Sequence, residues 1–494
     1  MKRLWSRKGL RSSFVEGEGE EGHTLKRHLR TGHLTSIGIG AIIGAGIFVI
    51  TGQAAALFAG PAVVVSFCLA ALICTFTGLC YAELSSMIPV AGGSYSYSYV
   101  ALGELPAWII GWSVLGQYII SASTVSVGWS GYAVSFIKSL GVSLSDLWTG
   151  APIAWNHALG WHLTGAVLNL PAIAIVLFLT VLAAIGIKAA AHFNNVMVVV
   201  KLATLAIFIF VSFFYIHPGN WIPFIPENAR DALGNGIFGE FGWSGVLRAS
   251  GMVFFAYIGF DTVATLAQET IQPQKSLPRG ILGSLFICTI AYILTSLVLT
   301  GVVKYTMLNV ADPMTVALQM MGPALIWLQF LIQIAIIAGL TTVILVQILG
   351  ESRMFFAMSK DGLLPKVFSS IHHKTHTPLF ATIVTGGACM IVSGLFPIDI
   401  LAQFVSILTL FIFGIVCLGV LILRRLHPEF PRPFKVPFSP IVPLCGIGTC
   451  IAQMCLFPAL TWMQFVGWII VGLFLYFGYS IRHSVVQKKH HSRA

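Results

Sequence analysis

Long apolar runs separated by short polar stretches dominate the chain from about residue 34 onward. A helix rises 1.5 Å per residue, so about 20 consecutive apolar residues cross the hydrocarbon of a bilayer. Twelve runs meet that description, at 34–58, 62–88, 105–136, 167–187, 192–216, 244–268, 280–303, 323–357, 379–396, 400–424, 437–457 and 461–481. Those at 105–136 and 323–357 exceed a straight crossing and predict tilt or turns outside the hydrocarbon. The fold class expected is an all-α membrane protein with 12 transmembrane helices. The chain divides into a tail over 1–33, five spans over 34–216, a loop over 217–243, five spans over 244–424, two further spans over 425–482, and a second tail over 483–494.

Composition agrees with the pattern. Of 494 residues, 57% are hydrophobic and 9% charged, against about 25% charged in ordinary soluble domains. That excludes a soluble enzyme, a disordered chain, a coiled coil and a nucleic-acid reader. The net charge of +11 has a topological explanation. With the N-terminus inside and spans alternating, 23 of the 28 Lys and Arg residues fall at or beyond inner span ends and 4 at outer ones. This asymmetry predicts that both termini are cytoplasmic. The first apolar run is too long for a cleaved leader, so residues 1–33 read as a tail, with a short interfacial helix expected over 24–33. Nine scattered cysteines, none in a C-x-x-C pair, read as small buried hydrophobes.

Spans one and six are unusual. The first reads Gly38-Ile39-Gly40-Ala41-Ile42-Ile43-Gly44-Ala45-Gly46-Ile47-Phe48. Each of its glycines costs about 1 kcal/mol relative to Ala in a helix interior. The sixth reads Phe254-Phe255-Ala256-Tyr257-Ile258-Gly259-Phe260-Asp261. Glycine-interrupted spans at matching places in two halves point to an inverted-repeat transporter, spans one to five matching six to ten. A break exposes N–H groups where one half-helix starts and C=O groups where the other ends. The first suits a carboxylate and the second an ammonium, which together receive an amino acid. The Gly40 to Gly44 spacing also suits a helix-packing face.

These stretches carry a family resemblance. Gly38 to Phe48 resembles the first-helix signature of amino acid–polyamine–organocation transporters. Tyr257 to Asp261, followed by Glu269, Pro273, Lys275 and Pro278, resembles their sixth helix and its inner loop. Arg353 with Ser359 to Pro365, and Arg432 to Pro437, resemble two further inner loops. The cationic amino acid transporter branch and its bacterial members fit well, through Glu83 and the run from Gly93 to Glu104. The resemblance implies a LeuT-like 5+5 inverted repeat with discontinuous helices one and six, in a bacterial inner membrane. It implies backbone around Ile43, Gly44, Ala45 and Gly46 for the substrate carboxylate, carbonyls of Phe255, Ala256 and Ile258 for the amine, and the Phe255 ring as a gate.

Charges within spans are costly, about 2.5–3.5 kcal/mol for a lysine at bilayer centre on insertion scales. Lys201, inside span five, must therefore face the protein interior and is a candidate proton carrier, or one half of a buried ion pair. In related proton-coupled transporters a lysine there occupies the place of a sodium ion and braces helix one. Asp261 resembles a proton-sensing acid of several relatives, or caps the half-helix after the break. Glu104 resembles an acid important in cationic transporters, or anchors a loop at the inner interface. Gln117 stands where some bacterial relatives carry a carboxylate, and Gln347 where relatives tune substrate size. Beyond Asp261 no carboxylate is placed mid-membrane to meet a guanidinium, so a cationic substrate is a branch-level expectation. The function expected is proton-coupled amino acid uptake by alternating access. The alternatives are an amino acid or polyamine exchanger and a non-transporting amino acid receptor. No enzyme motif, channel filter, metal site or cofactor site is recognisable, and the coupling ion expected is H+. Some relatives bind a single-span helper subunit or a sterol-like lipid.

Overall fold

The computed structural model describes residues 29–89, 92–156, 160–185, 188–230, 236–372 and 377–487. Most of the expected N-terminal tail, and residues 488–494 of the C-terminal one, lie outside the described residues. The chain is built of helices: α1 (Thr31–Ile42), α2 (46–59), α3 (Val63–Met87), α4 (Gly93–Ala101), α5 (Glu104–Ser139), α6 (Leu170–Ile185) and α7 (Lys188–Phe213). After a loop come α8 (Gly242–Phe254), α9 (Thr262–Thr265), α10 (Pro273–Val302), α11 (Pro313–Met320), α12 (Ile326–Lys360), α13 (Leu379–Leu395), α14 (Ile398–Leu426), α15 (Ile441–Cys455) and α16 (Ala459–Leu475). Among the described residues, eight helical stretches are long and apolar enough to cross a membrane, and three shorter apolar helices accompany them.

Helix ends follow the punctuation of the sequence. Pro378, Pro397, Pro440 and Pro458 each cap the start of the helix that follows. Proline has its φ preset and has no N–H to satisfy, which suits a helix start. The stretch from Gly46 to Met87 is turned at Gly60, whose φ of +61° favours glycine, and at Pro61. One part of the chain departs from the all-α expectation. The loop before α6 holds an antiparallel hairpin, β1 (Ile153–Asn156) with β2 (Gly160–Leu163), in the register Ile153 opposite Leu163. Residues 24–28 of the expected interfacial helix over 24–33 lie outside the described residues, and 31–33 are helical as the first turn of α1. Leu29 forms a parallel bridge with Thr270, and α1 begins at Thr31.

Helices far apart in the chain pack together: α3 on α10, α5 on α12, and α6 on α13. α1 lies against α10, and α8 against α3. The outer surface keeps large apolar side chains where a water-soluble protein would carry charge, among them Phe178, Val199, Phe210, Phe286, Ile391 and Phe474.

Candidate functional site

Two backbone interruptions face each other at the centre of this packing. α1 stops at Ile42, where Ile43 turns extended (φ −73°, ψ 101°), and helix resumes at Gly46. α8 stops at Phe254, followed by one 3₁₀ turn, Phe255–Tyr257, and an extended Ile258 (φ −65°, ψ 131°). Two glycines let the breaks touch. A Cβ on Gly46 would stand 2.3 Å from the Ala256 Cα, and one on Gly259 would stand 2.8 Å from the Ala41 carbonyl. Gly259 also has φ +129°, which side-chain-bearing residues avoid. The Tyr292 hydroxyl joins the two breaks. It lies 2.8 Å from the Ile42 carbonyl oxygen and 2.9 Å from that of Ala256, one proton serving two acceptors.

Between the breaks is a narrow cavity, with room for about one water molecule in this conformation. Gly44, Ala45, Gly46, Phe255, Ile258 and Gln347 line it, all expected from the sequence. Ile43, Ala256 and Gln117 do not line it. Ile43 is fully buried in the core beside the break, and Ala256 meets Gly46. The N–H groups that open α2 have no preceding turn to bond, so this wall can donate. The carbonyls at the end of α8 can accept. The remaining wall, from Ser121, Val125 and Val343, is weakly polar, with Gln347 Nε2 donating to Ser121 Oγ at 3.1 Å.

The candidate charged residues stand in separate places. Lys201 is completely buried and its Nζ donates to the Gly40 carbonyl at 2.9 Å, two residues before α1 ends. Its stem runs along Gly339 of α12. Asp261 accepts from Gln117 Nε2 at 3.3 Å, and its side chain makes no cap bond to α9. Glu104 stands apart from this pair. Tyr99 and Ser484 donate to one of its oxygens, Tyr476 and Gln487 to the other, so it ties the start of α5 to the chain after α16.

The family model of amino acid permeases matches residues 29–486. The chain belongs to the amino acid permease family. It is 41% identical over 488 residues to a methylthioribose transporter of Bacillus subtilis (strain 168), covering 99% of this chain and 100% of that one. It is 41% identical over 482 residues to the branched-chain amino acid permease BcaP of the same organism, covering 97% and 98%. It is also 33% identical over 438 residues to the mitochondrial cationic amino acid transporter 3 of Arabidopsis thaliana, covering 88% and 68%. These relatives are named as transporters and permeases, not enzymes.

Several residues of this permease's site escape a sequence reading. Tyr292 lies in an ordinary apolar run, and only the fold brings its hydroxyl to both breaks. Ser121 and Val343 carry no motif. Glu351 corrects the expectation that Asp261 is the sole mid-membrane carboxylate: it lies inside α12, fully buried. Its place within the predicted span 323–357, one helical turn after Gln347, was the available signal. Glu83, one of the residues that carry the family resemblance, is the buried centre of a latch. Arg424 grips it through Nε at 2.9 Å and NH2 at 2.5 Å, Arg432 lies 3.5 Å away, and the Val436 N–H donates at 2.7 Å.

Proposed function

We propose that this permease imports amino acids with protons by alternating access, holding the substrate's α-carboxylate at the start of α2 and its α-amine at the end of α8. The observation that carries the reading is the apposition of the two breaks at one cavity, joined through Tyr292. The pairing of α3 with α10, α5 with α12 and α6 with α13 supports a LeuT-like 5+5 repeat. In that repeat α1–α2 and α8–α9 are discontinuous helices one and six, within twelve crossings of a bacterial inner membrane. The distribution of Lys and Arg supports cytoplasmic termini. Lys201 supports proton rather than sodium coupling, because its ammonium occupies the space beside α1 where a sodium ion would sit.

The test is uptake into proteoliposomes of the purified protein. An acid exterior should drive accumulation of an amino acid. Counterflow without a pH dependence would point to exchange instead. Absence of transport together with retained binding would point to a receptor. A second reading is favoured by the 41% identity to a methylthioribose transporter. The weakly polar wall of Ser121 and Gln347 also suits a neutral substrate with hydroxyl groups. Methylthioribose therefore belongs in the ligand panel, and competition against leucine separates the two.

A further inference from the structure

The side chains one helical turn from the cavity are short of hydrogen-bond donors. α5 and α12 run antiparallel, in a register fixed by contacts along their length. Gln333 donates to Ser135, Trp129 to Thr341 and Gln347 to Ser121, and Tyr118 packs on Gly350. One turn beyond Ser121 and Gln347, this register brings Gln117 opposite Glu351. Both oxygens of Glu351 are buried without a hydrogen-bond partner, as are Gln117 Oε1 and Asp261 Oδ1. Gln117 already bonds Asp261, and these three side chains, carried on three elements, have four bare acceptor oxygens among them.

Among the described residues, the bases on neighbouring elements are committed elsewhere. Arg353, two residues further along α12, is half exposed and pairs with Glu269 at 3.6 Å. Lys201 bonds the Gly40 carbonyl and lies along Gly339, about three turns away. Among the described residues, the titratable groups beside Glu351 on the packed helices are Tyr118 of α5 and Cys389 of α13, both uncharged side chains. A buried carboxylate without a partner is strongly unfavourable, and an intramembrane acid of this kind marks a site. A single proton would supply one donor to four acceptors. A guanidinium carries five N–H donors and an ammonium three.

We propose that Glu351, with Gln117 and Asp261, forms a subsite for a cationic head group: the guanidinium or ammonium at the end of a substrate side chain. The inference rests on the amino acid reading above and names the substrate class within it. The α-carboxylate and α-amine stay at the two breaks, and the side chain passes Ser121 and Gln347 toward Glu351.

The test is binding of arginine, lysine, citrulline and leucine to the purified wild type, Glu351→Gln and Glu351→Asp, by calorimetry. Citrulline has the shape of arginine without its charge. The wild type should prefer arginine to citrulline. Glu351→Gln should lower that preference about tenfold or more, because a charged hydrogen-bond partner is lost. Glu351→Asp should fall between. An unchanged preference in Glu351→Gln overturns the proposal. A wild type that binds leucine and citrulline but neither arginine nor lysine overturns it too, whether or not the variants fold. A shifted pH profile of leucine uptake with an unchanged arginine preference would mark a proton site and equally overturn it. If no amino acid binds the wild type, the amino acid reading itself fails.

Discussion

Gly46 and Ala256 meet backbone to backbone, so closely that a Cβ on residue 46 would lie 2.3 Å from the Ala256 Cα. Gly44, two residues earlier, has a different neighbour: its Cβ would meet a Val343 methyl group at an ordinary 3.5 Å and stand at the cavity wall. Both glycines line the cavity, but only Gly46 also makes the backbone contact between the two breaks. The sequence pattern treated them alike.

That distinction separates two substitutions. Gly46→Ala should destabilise the protein by about 1–3 kcal/mol, because backbone cannot give way as a side chain can. Gly44→Ala should leave the melting midpoint nearly unchanged and weaken substrate binding about tenfold or more, the usual effect of one extra carbon in a tight pocket. Gly467→Ala on α16, where nothing lies within 4 Å, is the control: it should leave binding unchanged and raise the midpoint slightly, by the helix propensity of Ala over Gly. Thermal unfolding and calorimetric binding on the same three variants decide the matter.

Lys201 is the test of coupling. Its ammonium holds the Gly40 carbonyl next to the break, and its stem fills space against Gly339. Lys201→Met keeps much of that volume but loses the donor and the charge. Uptake driven by an acid exterior should fall to background in Lys201→Met and in Lys201→Ala. Counterflow in Lys201→Met should persist at a reduced rate. Uptake with unchanged magnitude and pH dependence in both variants would remove Lys201 from the coupling machinery.

Away from the cavity, the Glu83 latch makes a prediction about stability. Arg424 supplies two hydrogen bonds to a carboxylate that is 1% exposed, while Arg432 and the Val436 N–H hold it from the other side. Removing one partner of a buried ion pair costs about 3–5 kcal/mol. The remaining contacts place Arg424→Ala toward the lower end. Arg424→Lys, which loses the two-pronged geometry, should recover part of the loss. Denaturation of the purified variants measures both. Substrate affinity in the fraction that stays folded should match the wild type, since the latch does not line the cavity.

The long apolar helices were legible because their signal is local: twenty apolar residues in a row need no tertiary context. The two breaks were legible for the same reason, since clustered glycines oppose helix wherever they stand. The lining of the cavity was legible for Gly44, Ala45, Gly46, Phe255 and Ile258, which sit on the breaks themselves. Tyr292 and Ser121 were not legible, because their roles arise from which helix faces which. Glu351 shows the limit from the other side. A single acid in a long apolar run was visible, but its lack of a partner exists only once α5, α12 and α13 are packed. The hairpin over 153–163 was missed because Trp155 and Trp161 pack across its two strands, a pairing that no helical period reveals.

Glu104 supplies the last prediction, and it divides an anchor from a proton site. Its two oxygens accept from four side chains: Tyr99 at 3.1 Å, Ser484 at 2.5 Å, Tyr476 at 3.0 Å and Gln487 at 2.6 Å. Three of those donors belong to the chain after residue 475, so the acid fastens this segment to the start of α5. In Glu104→Gln one acceptor oxygen becomes an NH2 that faces donors, and two of the four bonds are lost. Each lost bond to a charged group is worth about 1.5–3 kcal/mol. The melting midpoint should therefore drop, and a shortened chain ending at residue 479 should drop similarly. The two changes together should cost less than the sum of the two, because both break bonds to Glu104, while the shortened chain also loses the bonds from Ser480 to Leu363 and from Val485 to Asp361. The pH profile of uptake should keep its shape in Glu104→Gln. A profile that shifts while the midpoint stays put would assign Glu104 to proton transfer rather than to anchoring.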